Sequence, residues 1–159
     1  GAELLAEIHA DLERRGIALR FSDARGPLRE VLQAAGLEAR VAYGDLEEEG
    51  GYRAAAEAFR RYPDTTAIFA ANDQTAFGAR LYLYEQGLRV PEDVSLVGFD
   101  DIALSAYQIP PLTTVRQPIQ DIGIALGRAL RAVLAGEVPT LPRLELRLVE
   151  RASVREVRA

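Results

Sequence analysis

Short apolar runs alternate with helical patterns along most of this chain, and that alternation limits its fold more than any other feature. Runs typical of strands occupy residues 17–21, 37–43, 66–70, 94–99 and 113–115. Apolar side chains at helical spacing occupy residues 2–15, 28–36, 52–62, 73–86 and 118–135. Strands that alternate with helices favour a parallel sheet with right-handed crossovers. We therefore predict an α/β fold, in three layers around a mainly parallel, doubly wound sheet.

The last third of the chain departs from this regular pattern. Residues 101–112 lose their periodicity and contain Pro110 and Pro111, which predicts a surface crossover loop. A final strand is predicted at 144–149, and its interleaved arginines favour an edge position. The 159 residues suffice for one domain, so we predict a single α/β domain over 1–159.

The helix predicted at 118–135 carries the broadest apolar face in the sequence. That face consists of large aliphatic side chains at helical spacing: Ile119, Ile122, Leu126, Leu130, Val133 and Leu134. Exposure of so much apolar surface would cost stability. We therefore expect the helix to fold back onto its own sheet, with docking on a second copy as the alternative, so that the protein is a monomer or a homodimer.

Composition excludes several classes of function. The net charge of −5 and the pI near 5.0 argue against nucleic-acid binding by this chain alone, because phosphate contacts need a basic surface. The absence of cysteine and the single histidine disfavour a zinc site or a disulfide framework. No apolar run is long enough to span a bilayer. We expect a cytoplasmic protein with no membrane contact, no metal and no cofactor.

Polar side chains follow the predicted strands and would gather along one rim of a parallel sheet, where ligands of such sheets bind. The candidate ligand-binding residues at this rim are Asn72, Asp73, Phe99 and Asp100. Aspartates and an amide beside an aromatic ring suit a polyhydroxylated, sugar-like ligand. The structural alternative is that Asp73 only caps a helix and that Asp100 and Asp101 only shape a turn.

Two further interpretations of the acidic residues concern other roles. Asp45 is predicted to cap a helix, and residues 47–49 (EEE) to form a solvated first turn. Three rim aspartates could instead hold Mg²⁺ in a small phosphotransfer or hydrolytic enzyme, but the chain has no lysine to accompany such a site. It also lacks a Gly-x-Ser-x-Gly elbow, a phosphate loop and a Gly-x-Gly-x-x-Gly turn. We therefore predict no catalytic residues and a protein that is not an enzyme.

Three blocks of sequence, in the same order, resemble the effector-binding domain of LacI/GalR-type transcription regulators. They are residues 66–73 (TAIFAAND), 89–101 (RVPEDVSLVGFDD) and 110–118 (PPLTTVRQP), within a resemblance that extends over about 43–151. The resemblance implies a type I periplasmic-binding-protein-like fold and a bilobed sensor that closes on a sugar or nucleobase and acts through a dimer. It implies that Asn72 and Asp100 contact effector, and that Leu46 occupies a place where the family often has an aromatic residue.

Other parts of the sequence depart from that family. The DNA-reading helix-turn-helix and the first lobe of such regulators have no counterpart here, so we expect any sugar-like effector to bind weakly. Residues 1–37 instead resemble the C-terminal half of a STAS domain, through residues 15–17 (RGI) and 24–32 (ARGPLREVL). This favours a chimera of a STAS-like segment over 1–37 with a repressor sensor-lobe segment over 38–159. A natural fragment of one regulator is the alternative.

Overall fold

In the part of the chain that the structure describes, six strands form one open sheet, and five of them run parallel. The computed structural model describes residues 10, 14, 19–22, 41–42 and 45–155, with only the backbone of 19–22 and 41–42. The strands are β1 (Leu19–Ser22), β2 (Val41–Ala42), β3 (Ala67–Phe69), β4 (Ser95–Asp100), β5 (Thr113–Arg116) and β6 (Arg147–Val149). Their order in the sheet is β2-β1-β3-β4-β5-β6, and only β6 pairs antiparallel with its neighbour. The predicted α/β fold with a mainly parallel sheet is confirmed.

The helices between these strands follow the sequence prediction closely where they are described. They are α1 (Glu48–Arg61), α2 (Asp73–Glu85) and α3 (Ile119–Leu134), with a short 3-10 helix at Ala103–Tyr107 inside the predicted crossover loop. The edge position predicted for the last strand is confirmed, although β6 begins at Arg147 rather than at residue 144. The helix predicted at 28–36 lies outside the described residues, and so does the helix at 2–15 apart from Ala10 and Arg14.

Helices α1 and α2 pack backbone to backbone because glycines face the contact. A Cβ atom added to Gly78 of α2 would lie 1.7 Å from the carbonyl oxygen of Glu48 in α1. A Cβ atom added to Gly51 of α1 would lie 2.2 Å from the carbonyl oxygen of Thr75 in α2. Both distances are far below van der Waals contact, so no residue with a side chain fits at either position without moving a helix.

The apolar core lies where α1 and α2 meet β3 and β4. Its fully buried large side chains are Leu83, Val94, Leu96 and Leu112, joined by Ile68 and several alanines. The aromatic rings of Phe59, Phe77 and Tyr82 pack against this cluster and are partly buried. The alternating burial along β4, in which Leu96 and Gly98 are buried between half-buried neighbours, is the pattern expected of a strand in a sheet.

The end of the described chain returns to the sheet and binds β4 and β5 where they begin. Ser153 is fully buried, and its hydroxyl donates to the carbonyl oxygen of Leu96 and accepts from the backbone N–H of Thr113 at 2.8 Å. The backbone N–H of Leu96 donates to the carbonyl oxygen of Ser153 at 2.8 Å. Residues 151–153 therefore close the sheet at the ends of these strands opposite the rim.

Helix α3 contradicts the prediction that its apolar face folds back onto the sheet. Leu126 is 58% exposed and Leu130 is 61% exposed, and Ile119, Val133 and Leu134 are also more than half exposed. Ala125 is the buried residue of this helix. The chain leaves the sheet after β5 and returns beside it as antiparallel β6, and the apolar face of the helix between these strands lies largely in solvent.

Within the described segments, no helix combines the length and the apolar character that crossing a bilayer requires.

Candidate functional site

The strand order indicates the end of the sheet at which a ligand crevice is expected. Connections leave β1 towards β2 on one side and β3 towards β4 on the other, so the sheet has a switch point between β1 and β3. Ligands of open α/β sheets bind beyond the carboxyl ends of the strands at such a point. Asn72 follows β3 by three residues and Asp100 ends β4, so both belong to this rim.

Asn72 joins two loops of the rim and caps helix α2. Its Oδ1 accepts a hydrogen bond from the backbone N–H of Thr75 at 2.8 Å, and its Nδ2 donates to the carbonyl oxygen of Leu46 at 2.8 Å. The prediction that Asp73 caps this helix is therefore wrong by one residue: Asn72, with extended backbone, occupies the N-cap position.

Asp73 lies below the rim and is fully buried. Its Oδ2 accepts hydrogen bonds from the backbone N–H of Ile102 at 2.9 Å and from the hydroxyl of Ser105 at 2.6 Å. Its Oδ1 accepts from the hydroxyl of Thr114 at 2.6 Å. Both oxygens are engaged inside the protein, and the side chain does not reach the surface where a ligand would bind.

Asp100 ends β4 in an unusual backbone conformation. Its φ is 110° and that of Asp101 is 55°, both in the region that favours glycine, so the turn is held by its surroundings. The side-chain amide of Gln117 donates to Asp100 Oδ1. Within the described part of the chain, no hydrogen bond engages Asp100 Oδ2, and the residue is half-buried. One oxygen is therefore fixed, and the other has no hydrogen-bond partner among the residues that the structure describes.

Asp101 belongs to an ion-pair cluster that shapes the same turn. Its carboxylate accepts from the guanidinium groups of Arg116 at 2.5 Å and Arg151 at 2.6 Å. Burial raises the pKa of Asp101, but the hydrogen bonds from Arg151 and Arg116 outweigh it and hold that pKa below the ordinary value of an aspartate. The structural alternative considered for this residue, a role in shaping the turn, fits its geometry.

The two apolar candidates differ in exposure. Phe99 precedes Asp100 in β4, is half-buried and lies opposite Val115 of β5. Leu46 is 43% exposed and has a φ of 69°, and its carbonyl oxygen is held by Asn72. Leu46 is therefore partly exposed on a loop whose backbone Asn72 holds.

Asp45 supports the start of α1 without occupying its N-cap position. Glu47 is the N-cap residue, with no capping bond from its own side chain, and its backbone N–H donates to Asp45 Oδ1 at 3.2 Å. The other oxygen of Asp45 accepts from the guanidinium of Arg53 at 2.8 Å. The prediction that Asp45 caps this helix is therefore wrong by two residues, although its carboxylate lies at the helix start, where Glu48 and Glu49 form the acidic first turn.

This arrangement offers one carboxylate oxygen, an ordered amide and apolar surface at one rim. A carboxylate oxygen accepts hydrogen bonds from neighbouring hydroxyl groups, and apolar side chains pack on the carbon face of a sugar ring. Among the described residues, no group of three or more histidine, cysteine, aspartate or glutamate side chains is placed to hold a metal ion. Asp23 and Gly44, which in the sequence follow the strand runs predicted at 17–21 and 37–43, lie outside the described residues.

Sequence reasoning missed Gln117 and Arg151. Gln117 stands in the block 110–118 that carries the resemblance, and its position directly after β5 was a usable signal for a rim residue. Arg151 lies near the end of the chain, 50 residues from its partner Asp101, and no local pattern indicates that pairing.

Comparison with known proteins agrees with this fold. The model of the periplasmic binding protein-like domain family matches residues 13–154. The HTH-type transcriptional regulator CelR of Thermobifida fusca is 40% identical over 121 residues, which cover 74% of this chain and 36% of that protein. The HTH-type transcriptional repressor PurR of Escherichia coli O1:K1 / APEC is 40% identical over 119 residues, covering 74% and 35%.

A solved structure extends the likeness beyond the aligned sequence. The complex of the transcriptional regulator CelR with cellobiose superposes with a TM-score of 0.73 at 34% identity, covering 93% of this chain and 49% of that chain. This chain thus spans about a third of the length of the curated relatives that it matches.

The STAS-like interpretation of residues 1–37 is not supported. A single family match spans 13–154 and crosses the boundary placed at residue 37, so the prediction of a chimera loses its basis. The helix-strand-helix pattern of that segment is common to many α/β folds, which is why a short resemblance misled the prediction.

Proposed function

The chain belongs to the periplasmic-binding-protein-like domain family, and from that premise we propose that it is the C-terminal effector-binding lobe of a LacI/GalR-type transcription regulator. It binds a small, sugar-like effector at the carboxyl rim of its sheet and carries out no catalysis. The observation that carries this proposal is Asp100 at the end of β4: Gln117 fixes one of its oxygens, and no described residue donates a hydrogen bond to the other.

Four rim residues form the proposed contact surface. Asp100 Oδ2 accepts hydrogen bonds from effector hydroxyl groups, and Phe99 and Leu46 supply apolar contact. Asn72 has both polar ends engaged within the protein, so it contributes by ordering the loop that carries Leu46 and by the remaining acceptor capacity of its Oδ1. Asp73 is not one of the proposed contact residues, because its carboxyl group is buried and both of its oxygens accept hydrogen bonds within the protein.

The exposed apolar face of α3 supports the proposal that a second lobe packs against this helix. The matched relatives are almost three times as long as the matched segment, and bilobed sensors of this kind enclose the effector between lobes. Burial of Leu126 and Leu130 against that lobe would recover the stability that exposure forfeits, at about 1.5–3 kcal/mol for each large side chain. A lobe without this partner binds effector weakly, because it buries only one side of the ligand.

A second apolar surface supports association of two copies. It combines Leu81 and Tyr84 of α2 with Tyr107 and Ile109 of the segment between β4 and β5. All four residues are more than half exposed. The guanidinium of Arg80 donates to the carbonyl oxygen of Pro110 at 2.9 Å and so fixes the loop against the helix. This surface is therefore preformed, and we assign the homodimer contact to it.

The acidic charge of the chain leaves contact with DNA to another part of the regulator. A net charge of −5 repels phosphate, and the sequence has no helix-turn-helix. A regulator that acts on DNA works in the cytoplasm, which is where we place the protein.

Titration with sugars followed by NMR tests the proposal. We expect cellobiose, or another sugar in a panel of mono- and disaccharides, to shift the amide resonances of residues 99–102 with a dissociation constant weaker than about 10 µM. Asp100→Asn should weaken that binding about tenfold, the loss expected of one charged acceptor. Asp121→Asn, on the exposed α3, is the matched control and should bind as the wild type does.

Two results would overturn the proposal. One is the absence of any sugar-induced shift at about 20 mM ligand. The other is binding that is unchanged in Asp100→Asn.

A further inference from the structure

We propose that Asp73 is the positioning residue of the effector site: buried and out of reach of any ligand, it sets where Asp100 stands at the rim. This inference rests on the proposed function, since it concerns the same site. Asp73 is not part of the binding surface, and this role accounts for its hydrogen bonds.

The hydrogen bonds of Asp73 join three separate elements. Asp73 lies in the first turn of α2 and holds the backbone N–H of Ile102 and the hydroxyl of Ser105, which follow β4. Through its other oxygen it holds the hydroxyl of Thr114 in β5. One side chain therefore fixes the start of a helix, the segment after Asp100 and the neighbouring strand.

The turn that presents Asp100 needs contacts that keep its backbone in place. Asp100 and Asp101 both have positive φ, a conformation that non-glycine residues keep only where surrounding contacts impose it. Ile102 is the next residue, and its N–H points to Asp73 Oδ2. The turn is thus bounded by Asp73 on one side and by the contact of Gln117 with Asp100 on the other.

Gly98 shows that the sheet makes room for this carboxyl group. A Cβ atom at position 98 would lie 2.2 Å from Asp73 Oδ1, so a residue with a side chain there would displace the carboxyl group. The absence of a side chain two residues before Asp100 lets Asp73 reach under the strand. Sequence and geometry therefore agree on a close approach between α2 and the end of β4.

A purely structural role would give a different result from a positioning role, and Ser153 allows the two to be separated. Ser153 is as deeply buried as Asp73, and its hydroxyl joins Leu96 of β4 to Thr113 of β5 without a hydrogen bond to the residues that follow Asp100. Ser153→Ala should lower stability and leave the rim unchanged. Asp73→Ala should change the rim as well.

The side-chain amide resonance of Gln117 reports the position of Asp100 without any ligand. We expect Asp73→Ala to shift that resonance towards the free-amide position and to weaken cellobiose binding by about tenfold or more. Asp73→Asn should retain both properties, because its amide oxygen can accept from Ile102 and Ser105 while its NH₂ donates to the rotatable hydroxyl of Thr114. All variants are compared at a temperature at which each is folded.

The outcomes decide the inference separately from the proposed function. An unchanged Gln117 resonance in folded Asp73→Ala, or the same change in Ser153→Ala, would overturn the positioning role. If Asp73→Ala does not fold, Asp73→Ser replaces it, since a serine hydroxyl stops short of the positions of the carboxylate oxygens. If cellobiose and the other sugars fail to bind the wild type, the proposed function fails, and the Gln117 resonance still decides the role of Asp73.

Discussion

Helices α2 and α3 have similar lengths and opposite relations to the rest of the molecule. Helix α2 carries no strong apolar stripe, yet six of its thirteen residues are buried, among them Asp73, Gly78 and Leu83. Helix α3 carries the clearest apolar stripe in the chain, yet its large aliphatic side chains are mostly exposed. Small residues and a close helix contact bury α2, whereas α3 belongs to a segment that leaves the sheet.

The difference separates two kinds of information in a sequence. An apolar stripe indicates that a helix has a face suited to burial, but it does not indicate what covers that face. A helix with small residues and a buried acid indicates close packing, although its pattern is weak. Paired substitutions in the two helices test how far this contrast extends.

The largest effect is expected for a leucine pair. Leu83→Ala in α2 should lower the free energy of unfolding by about 2–5 kcal/mol, because it opens a cavity in the core. Leu130→Ala in α3 should change it by less than about 0.5 kcal/mol, since that side chain is already largely in water. Urea unfolding of this chain measures both. An equal loss in the two variants would show that α3 is covered in solution.

A glycine pair should give effects of opposite sign. Gly78→Ala should destabilise the protein by about 1–3 kcal/mol, because the added methyl group meets the backbone of α1. Gly127→Ala in α3 should stabilise it by about 0.5–1 kcal/mol, since nothing lies within 4 Å of the added Cβ and alanine favours the helix. Thermal unfolding resolves the two signs. Destabilisation by Gly127→Ala would mean that another surface lies against α3.

The smallest effect is expected for Asp101, whose carboxylate pairs with Arg116, just before α3, and with Arg151. Its pKa is lowered in the folded state, so its contribution to stability is present above about pH 4 and is lost as the pH falls through the lowered value. Asp101→Asn should cost about 1–2 kcal/mol at pH 7 and progressively less at acid pH.

Unfolding curves between pH 2 and pH 7 test this expectation, and the arginine partners provide the control. Arg151→Gln should cost more than Arg116→Gln, because the Arg151 side chain is mostly buried and that of Arg116 is mostly exposed. A loss in Asp101→Asn that does not change with pH would mean that the turn, and not the ion pair, supplies the stability.

The sequence predicted local features well and long-range ones poorly. The alternation of elements, the edge strand and the rim positions of Asn72 and Asp100 followed from periodicity and from the geometry of parallel sheets. The cap was misplaced by one residue because Asn72 and Asp73 are both good N-cap residues, and only the packing of the buried carboxyl group separates them.

Contacts between distant residues account for the rest. The pairing of Gln117 with Asp100 and of Arg151 with Asp101 joins residues 17 and 50 positions apart, and neither leaves a local pattern. The position of α3 depends on whether the chain crosses the sheet or returns along its edge, which the apolar stripe does not encode.

The return of Ser153 to the start of β4 and β5 has a consequence for biosynthesis. The strands β1 to β5 are all present once residue 116 has left the ribosome, but the groups of Leu96 and Thr113 that Ser153 satisfies must wait for another 37 residues. Until then the α3 segment has to be translated with the sheet still open at that end. Completion of the sheet is therefore coupled to synthesis of the segment up to Ser153, and a nascent product that stops before Ser153 retains unsatisfied polar groups in its interior.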